Sequence, residues 1–355
     1  MAQKIQIGDR RIGGGEPCYI VAELSANHNQ SFERAVEIVR AAKQAGADAI
    51  KLQTYTPDTM TIRSDRPWFR IPGDSIWAGK TLYQLYQEAY TPWEWHAELQ
   101  RTAHRLGLDF FSTPFDATAV AFLENLQVPA YKVASFELVD VPLLRVIAKT
   151  RKPVIVSTGM ASREEIEEGV KTLRSHGAEQ LALLKCTSAY PASPNEMNLR
   201  AIPDLAAAFD VVVGLSDHTL GSSVAIAAVA LGVSIIEKHF ILARTAGGPD
   251  STFSMEPQEF ARMVTAIREV EQALGGTAYG RTAEEAKSVC FRRSLFVVRD
   301  VKAGETFTPD NVRAIRPGYG LAPRHLDRVL GQTATRDVPE GTPLSWDLVA
   351  SEAGS

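Results

Sequence analysis

The stretch CYIVAELSANHNQSFERAVEIVRAAKQAGADAIKLQ, residues 18–53, holds one complete strand–helix–strand unit. It opens with a short apolar run, CYIVAE (18–23), that ends on a carboxylate. SFERAVEIVRAAKQAG (31–46) follows, with serine in the N-cap position, apolar residues at helical spacing and a closing glycine. A second apolar run, AIKLQ (49–53), ends on polar residues. Strands joined through a helix pair in parallel, which buries both of their faces.

Working outward, the unit recurs. FFST (110–113), YKVAS (131–135), VIVSTG (154–159), LLKCTS (183–188), VVVGLSDH (211–218) and SIIEKHF (234–240) bring the apolar runs to eight, with room for a helix between neighbours. SREEIEEGVKTLRSHG (162–177) repeats the helical punctuation, with acids in its first turn. Eight strands alternating with helices predict an α/β fold, a (β/α)8 or TIM barrel. The C-terminal strand ends of such a barrel form its active-site rim. The candidate site residues are therefore Glu23, Lys51, Gln53, Thr113, Lys132, Ser135, Ser157, Ser188, Ser216, His218 and His239.

The chain has 355 residues, which suits one large domain and one small one. Its 45% hydrophobic content is ample for a core, and its net charge of −4 argues against a nucleic-acid partner. Cys18, Cys186 and Cys290 are odd in number and widely spaced, which fits a reducing cytoplasm better than a disulfide framework. No long apolar run is present, so no membrane association is expected.

Residues 55–91 interrupt the pattern after the second run and are rich in Pro, Trp and Tyr. An insertion there lies on the same face as the strand ends, as a candidate substrate lid. After PQEFARMVTAIREVEQALGG (257–276) a charged linker, TAYGRTAEEAKSV, leads to a different pattern. SLFVVRDVKAG, DNVRAIRPGYG and GQTATRDVPEGTPL read as short strands with Gly/Pro turns. We therefore expect a barrel domain over 1–283 and a small β-rich domain over 288–355. The latter is near the size at which folding alone becomes marginal.

Lys51 and Lys132, surrounded by Thr113, Ser135, Ser157, Ser188 and Ser216, make an oxyanion site of charge and hydroxyl donors. A phosphate, or a phosphate with a carboxylate, matches it; lysines that snorkel to solvent are the alternative. His218 and His239 end adjacent strands, about 5 Å apart. Two neutral imidazoles suit Mn²⁺, Fe²⁺, Co²⁺ or Zn²⁺ better than Mg²⁺. Glu23, Glu137 and Asp250 can reach the rim as base, metal ligand or sugar-hydroxyl acceptor. Asp217 and Glu237 are further candidates for inward-facing acids. The remaining histidines, His28, His96, His104, His176 and His325, read as helix surface or loop.

VAELSANHNQ, IKLQT, FFSTPFD, YKVASFEL, VIVSTGM, LLKCTSAYP, GLSDHT, EKHF and GPDSTFSMEP, in this order, resemble the sialic acid synthase family of phosphoenolpyruvate-dependent nonulosonate synthases. SLFVVRDVKAGE, IRPGYGL and GQ…DVPEGTPL are similar to that family's SAF (antifreeze-like) domain. The resemblance implies condensation of phosphoenolpyruvate with an open-chain amino sugar, giving a 2-keto acid and phosphate. It implies that Lys51, Thr113, Lys132, Ser135, Ser157, Ser188 and Ser216 hold phosphoenolpyruvate, and that His218 and His239 ligate a divalent metal, commonly Mn²⁺. It assigns Gln53, Glu137, Tyr190 and Asp250 to the sugar. It also implies a domain-swapped homodimer, in which Arg316 of one subunit binds the N-acyl group in the other. Ser188 departs from the Asn that the family often carries there. IWAGKTLYQLYQEAYTPWEWH, and Ser251 where many members have His, resemble the pseudaminic acid synthase branch, whose sugar is 2,4-diacetamido-2,4,6-trideoxy-L-altrose. The sugars of N-acetylneuraminate and legionaminate synthases are the alternatives. A lid carrying Trp77, Tyr83, Tyr86, Trp93 and Trp95 suits a less polar hexose. Among other classes, a barrel aldolase would use Lys132 as a Schiff base, and a sugar-binding module would need no metal or acid at all.

Overall fold

The computed structural model describes residues 3–73, 75–277 and 279–350. Eight parallel strands close a barrel in sequence order. They are β1 (Tyr19–Glu23), β2 (Ala49–Thr54), β3 (Asp109–Pro114), β4 (Tyr131–Val133), β5 (Val154–Ser157), β6 (Leu181–Cys186), β7 (Val212–Asp217) and β8 (Ile235–His239). β8 pairs back on β1 and sets His239 opposite Glu23. The strand bounds match the eight apolar runs to within two residues.

The outer layer comprises α1 (Phe32–Gln44), α2 (His96–Arg105), α3 (Ala117–Asn125), α4 (Val141–Ala148), α5 (Arg163–Ser175), α6 (Ala201–Phe209), α7 (Ser223–Ala230) and α8 (Pro257–Leu274). The expected caps form. The Ser31 side chain accepts from Arg34 N, and Ser162 exchanges bonds with Glu165 in a capping box.

Strand side chains alternate between two faces. The outward set, such as Ile20, Ile50, Phe110, Val156 and Ile236, joins the helices in the main core. The inward set, including Val21, Ala49, Phe111, Ile155, Leu184 and Ile235, fills the lower barrel with a second core. That core is completed by Ile5, Ile7 and Ile12 of an N-terminal hairpin, Lys4–Ile7 with Arg10–Gly13. Gly214 belongs to the inward set of β7; a Cβ there would lie 2.4 Å from Leu184 and 2.6 Å from the Ile235 carbonyl. Above these apolar layers the same strand faces turn polar, and that change positions the site.

The second compact unit is Gly276–Ser355. The segment read as a charged linker contains a short helix, Ala283–Lys287, because Thr282 and Glu285 form a capping box there. Strands Ser294–Val297 and Val312–Ile315 pair antiparallel over a core of Leu295, Val297, Phe307, Val312, Val329 and Leu344. The segment 331–344, read as a strand, forms only isolated bridges, such as Thr306 with Thr333 and Val301 with Val338.

Candidate active site

The floor of the site is a cluster of four charges inside the upper barrel. Lys51 (β2), Lys132 (β4), Glu23 (β1) and Glu237 (β8) are each at most 5% exposed. Lys51 Nζ lies 2.5 Å from Glu23 Oε2, 3.8 Å from Glu237 Oε1 and 3.2 Å from Thr113 Oγ1, to which it donates. Lys132 Nζ donates to Ser157 Oγ at 2.8 Å and lies 3.5 Å from Glu237 Oε1. Ser216 Oγ donates to the same Glu237 oxygen at 3.2 Å. Neither lysine snorkels outward.

Burial pushes the Glu23 carboxyl up to about 7, against the opposing pull of Lys51. Burial also works against ionisation of Glu237, but Lys132 and Lys51 outweigh it and hold that carboxyl below the usual range. For Lys51, Glu23 and Glu237 outweigh burial and raise its pKa; for Lys132, burial dominates and lowers it. Two buried lysines thus face one firmly ionised carboxylate and one poised near neutrality. The cluster is incomplete as it stands. Glu23 Oε1 and Glu237 Oε2 are buried without a hydrogen-bond partner among the described residues. Buried polar atoms left in this way point to an absent ligand or water.

Ser135 and Ser188 converge from the loops after β4 and β6 on Gly159. The Gly159 N–H donates to Ser135 Oγ at 3.0 Å, and a Cβ at Gly159 would lie 2.3 Å from Ser188 Oγ. A glycine is required for this approach of backbone to two hydroxyls. Of the five candidate hydroxyls, Thr113 and Ser157 accept from the two lysines, Ser216 bonds Glu237, and Ser135 and Ser188 meet at Gly159.

His218 and His239 meet above β7 and β8, their ring centroids 5.4 Å apart. His218 Nδ1 is 3.0 Å from the Thr187 carbonyl, to which it donates, so Nε2 is the ring atom left to face a metal. Burial works against its charge, but Cys186 and the Thr187 carbonyl outweigh this and raise its pKa. Burial, and then the charge of His218, hold His239 well below the usual histidine range, so its ring is neutral. His239 Nδ1 is buried without a hydrogen-bond partner among the described residues. This pair fits a first-row divalent cation. Among the described residues no group of three or more His, Cys, Asp or Glu is placed to hold a metal ion.

The sugar-side candidates come from four strand ends round the barrel: Gln53 on β2, Glu137 after β4, Tyr190 after β6 and Asp250 after β8. Asp250 Oδ2 lies 4.0 Å from His239 Nδ1 and accepts from Ser25 Oγ and, at 3.4 Å, from Ala26 N. Gln53 Nε2 donates to Ser25 Oγ at 3.1 Å. Burial raises Glu137 to about 7, and its Oε2 has no hydrogen-bond partner among the described residues. The Tyr190 ring packs on His218 and Phe253, at centroid distances of 4.5 and 5.2 Å. Arg316 is exposed in the second unit, just past Val312–Ile315.

Trp77 ties the insertion to this site. Trp77 donates from Nε1 to the Pro249 carbonyl at 2.7 Å, and its ring lies 5.6 Å from Tyr190. A cavity of about 360 Å³ opens beside it, lined in part by Ile76, Lys80, Glu88 and Thr252. The other expected lid aromatics do not reach the centre. Tyr83 bonds Asp58 within the insertion, Tyr86 packs on Tyr55, Trp93 on Phe122, and Trp95 on His28 and Phe32. They are packing residues: Tyr83 and Tyr86 pack within the insertion, and Trp93 and Trp95 pack against the barrel's outer layer.

Two histidine readings change as well. His28 and His96 are fully buried. His28 bonds Thr91 Oγ1 and the Gln30 N–H, and His96 bonds Thr54 Oγ1; burial lowers both to about 4. Asp217 faces away from the floor and pairs with Lys238 at 2.6 Å. Glu237, left without a role by the sequence, stands at the centre of the floor. Its signal was available, since it precedes His239 by two residues on one strand face. Cys186 was not anticipated either. Burial pushes its thiol up, but the contact with His218 outweighs this and brings it to about 7.

Residues 38–279 match the NeuB family, and residues 292–350 match the SAF domain. The chain is 45% identical to a pseudaminic acid synthase of Campylobacter jejuni subsp. jejuni over 92% of this chain and 95% of that protein. It is 46% identical to a pseudaminic acid synthase of Helicobacter pylori, over 94% of this chain and 98% of that one. Among solved structures, an N-acetylneuraminic acid (sialic acid) synthetase from Leptospira borgpetersenii, crystallised with citrate, superposes with a TM-score of 0.73 at 31% identity. That match covers 81% of this chain and 96% of the other. A TIM-like barrel with this floor and a C-terminal SAF domain places the chain in the NeuB family, to which it belongs.

Proposed function

We propose that this protein is a pseudaminic acid synthase. It condenses phosphoenolpyruvate with 2,4-diacetamido-2,4,6-trideoxy-L-altrose and releases phosphate. The observation that carries the chemistry is the floor: two buried lysines ringed by hydroxyls, with carboxylate oxygens lacking partners, beside a pair of histidines. The choice of sugar rests on the relatives. Pseudaminic acid synthases share 45–46% identity with the chain, against 31% for the sialic acid synthetase.

In this reading Lys51, Lys132, Thr113, Ser135, Ser157, Ser188 and Ser216 hold the phosphate and carboxylate of phosphoenolpyruvate. Gln53, Glu137, Tyr190 and Asp250 contact the sugar. C3 of phosphoenolpyruvate attacks the sugar aldehyde carbon, and positive charge develops at C2. Water adds at C2, and the resulting intermediate expels phosphate by breaking the C2–O bond. A divalent cation bound by His218 and His239, for which Mn²⁺ is our candidate, would act as a Lewis acid on the aldehyde oxygen. Lys51 and Lys132 stabilise the phosphate and carboxylate charge at a position screened from solvent. Glu23, poised near 7, is placed to stabilise the cationic carbon or to orient the water and take its proton.

Arg316 serves the sugar's N-acyl group from a partner subunit of a domain-swapped homodimer. Phe136, Val139, Met160 and Leu220, exposed on loops following β4, β5 and β7, are the surface we assign to that partner. No helix of the described residues is long and apolar enough to cross a membrane, and we place the reaction in the cytoplasm. The reaction is tested with phosphoenolpyruvate carrying ¹⁸O in its bridging oxygen. The label should leave in phosphate; its retention in the keto acid would exclude C–O cleavage.

A further inference from the structure

Ser25 lies two residues beyond the end of β1 and is 2% exposed. Its backbone has φ of +46°, a left-handed conformation that glycine adopts freely and serine rarely does. The site tolerates this unfavourable backbone where a glycine would fit, so the hydroxyl is the feature that needs a reason.

The hydroxyl is used twice. Its O–H donates to Asp250 Oδ2, and its oxygen accepts from Gln53 Nε2 at 3.1 Å. Gln53 stands on β2 and Asp250 on the loop after β8, so Ser25 bridges the two neighbours of its own strand. These bonds define what the pair has left to offer. Gln53 has committed its amide nitrogen, and Asp250 has committed Oδ2. Neither Gln53 Oε1 nor Asp250 Oδ1 accepts a hydrogen bond from a described residue. Both residues therefore retain acceptors, and acceptors recognise the O–H and N–H donors of a hydroxylated, acetamido-bearing sugar.

We propose that Ser25 is a positioning residue for the sugar: it fixes the Gln53 amide and the Asp250 carboxylate so that both present acceptors to it. This rests on the synthase reading above. Among the described residues the Ser25 hydroxyl makes no hydrogen bond to Lys51, Lys132 or the hydroxyls they bond, so phosphoenolpyruvate should not feel its loss.

Ser25→Gly separates the two roles of the residue, because it removes the hydroxyl and relieves the backbone at once. Initial rates of phosphate release are measured in the full chain with Mn²⁺, varying the sugar and phosphoenolpyruvate in turn, and thermal unfolding is followed alongside. The expected result is a sugar KM raised about tenfold, the phosphoenolpyruvate KM unchanged, and a melting temperature near that of the wild type, because backbone relief offsets the lost hydrogen bonds. In an Asp250→Asn background the same change should add little, since the two residues act in one network. Equal shifts in both KM values, or a sugar KM that does not move while the wild type turns over, would each overturn the role. A wild type that releases no phosphate with any of the amino sugars named here would instead remove the synthase reading, and this assignment with it.

Discussion

Glu237 and Lys238 are neighbours on β8, both buried, yet they belong to opposite kinds of charge cluster. Lys238 faces outward and pairs with Asp217 at 2.6 Å, with both side chains fully buried. Each ion there has at least two partners. Lys238 also donates to the Thr219 carbonyl at 2.7 Å, and Asp217 Oδ1 accepts from Thr219 N and Oγ1. Glu237 faces inward to two lysines, and one of its oxygens has no hydrogen-bond partner among the described residues. A closed ion pair has no further use for a ligand. An open cluster of equal burial carries a standing cost that a hydrogen-bond donor, such as a water or a hydroxyl, can relieve. Burial of charge does not by itself mark a site; unmet hydrogen-bonding capacity does.

Substitutions on the two clusters should therefore fail in different ways. The largest effect is expected for Asp217→Ala, which strands Lys238 in the outer layer. It should cost about 3–5 kcal/mol in urea unfolding. A loss below about 1 kcal/mol would mean that the pair is not the closed structural unit described here. Next comes Lys132→Met on the floor. It should lower kcat/KM for phosphoenolpyruvate by about 10²–10³-fold while the unfolding midpoint stays close to that of the wild type. A large stability loss with proportionate activity would erase the distinction. The smallest effect is expected when both members of the outer pair lose charge together. Asp217→Asn with Lys238→Met should lose less than half of what Asp217→Ala loses, because no ion is left unpaired and Asn keeps an acceptor for Thr219. Equal losses would show that hydrogen bonding to Thr219, and not charge pairing, dominates.

The barrel was legible because each strand pairs an apolar run with a polar ending, and the period of two then assigns faces. Lys51, Lys132, Thr113, Ser157, Ser216 and His239 follow from that rule alone. Ser135, Ser188 and His218 lie just past their strands but close enough for the run to include them. Glu237 was within reach of the same rule, through its spacing from His239. Ser25 was not, because a left-handed residue in a loop carries no periodic signal and its partners lie 28 and 225 positions away. The insertion was legible as an insertion only. Which of its aromatics faces the site depends on which are needed to pack it, and among the five only Trp77 both bonds the Pro249 carbonyl and packs on Tyr190. His28 and His96 were misplaced for a related reason. Each satisfies one ring nitrogen with a partner brought in by another segment, Thr91 and Thr54, which no local pattern announces.

The central claim is the choice of sugar within a shared chemistry. It is tested most directly by phosphate release from phosphoenolpyruvate with Mn²⁺ and three sugars compared side by side: 2,4-diacetamido-2,4,6-trideoxy-L-altrose, N-acetylmannosamine and the 4-acetamido-6-deoxy analogue of the latter. The account predicts that the altrose derivative gives the highest kcat/KM, by at least about tenfold. A higher value with either of the other two, or no phosphate from any of them, would contradict it.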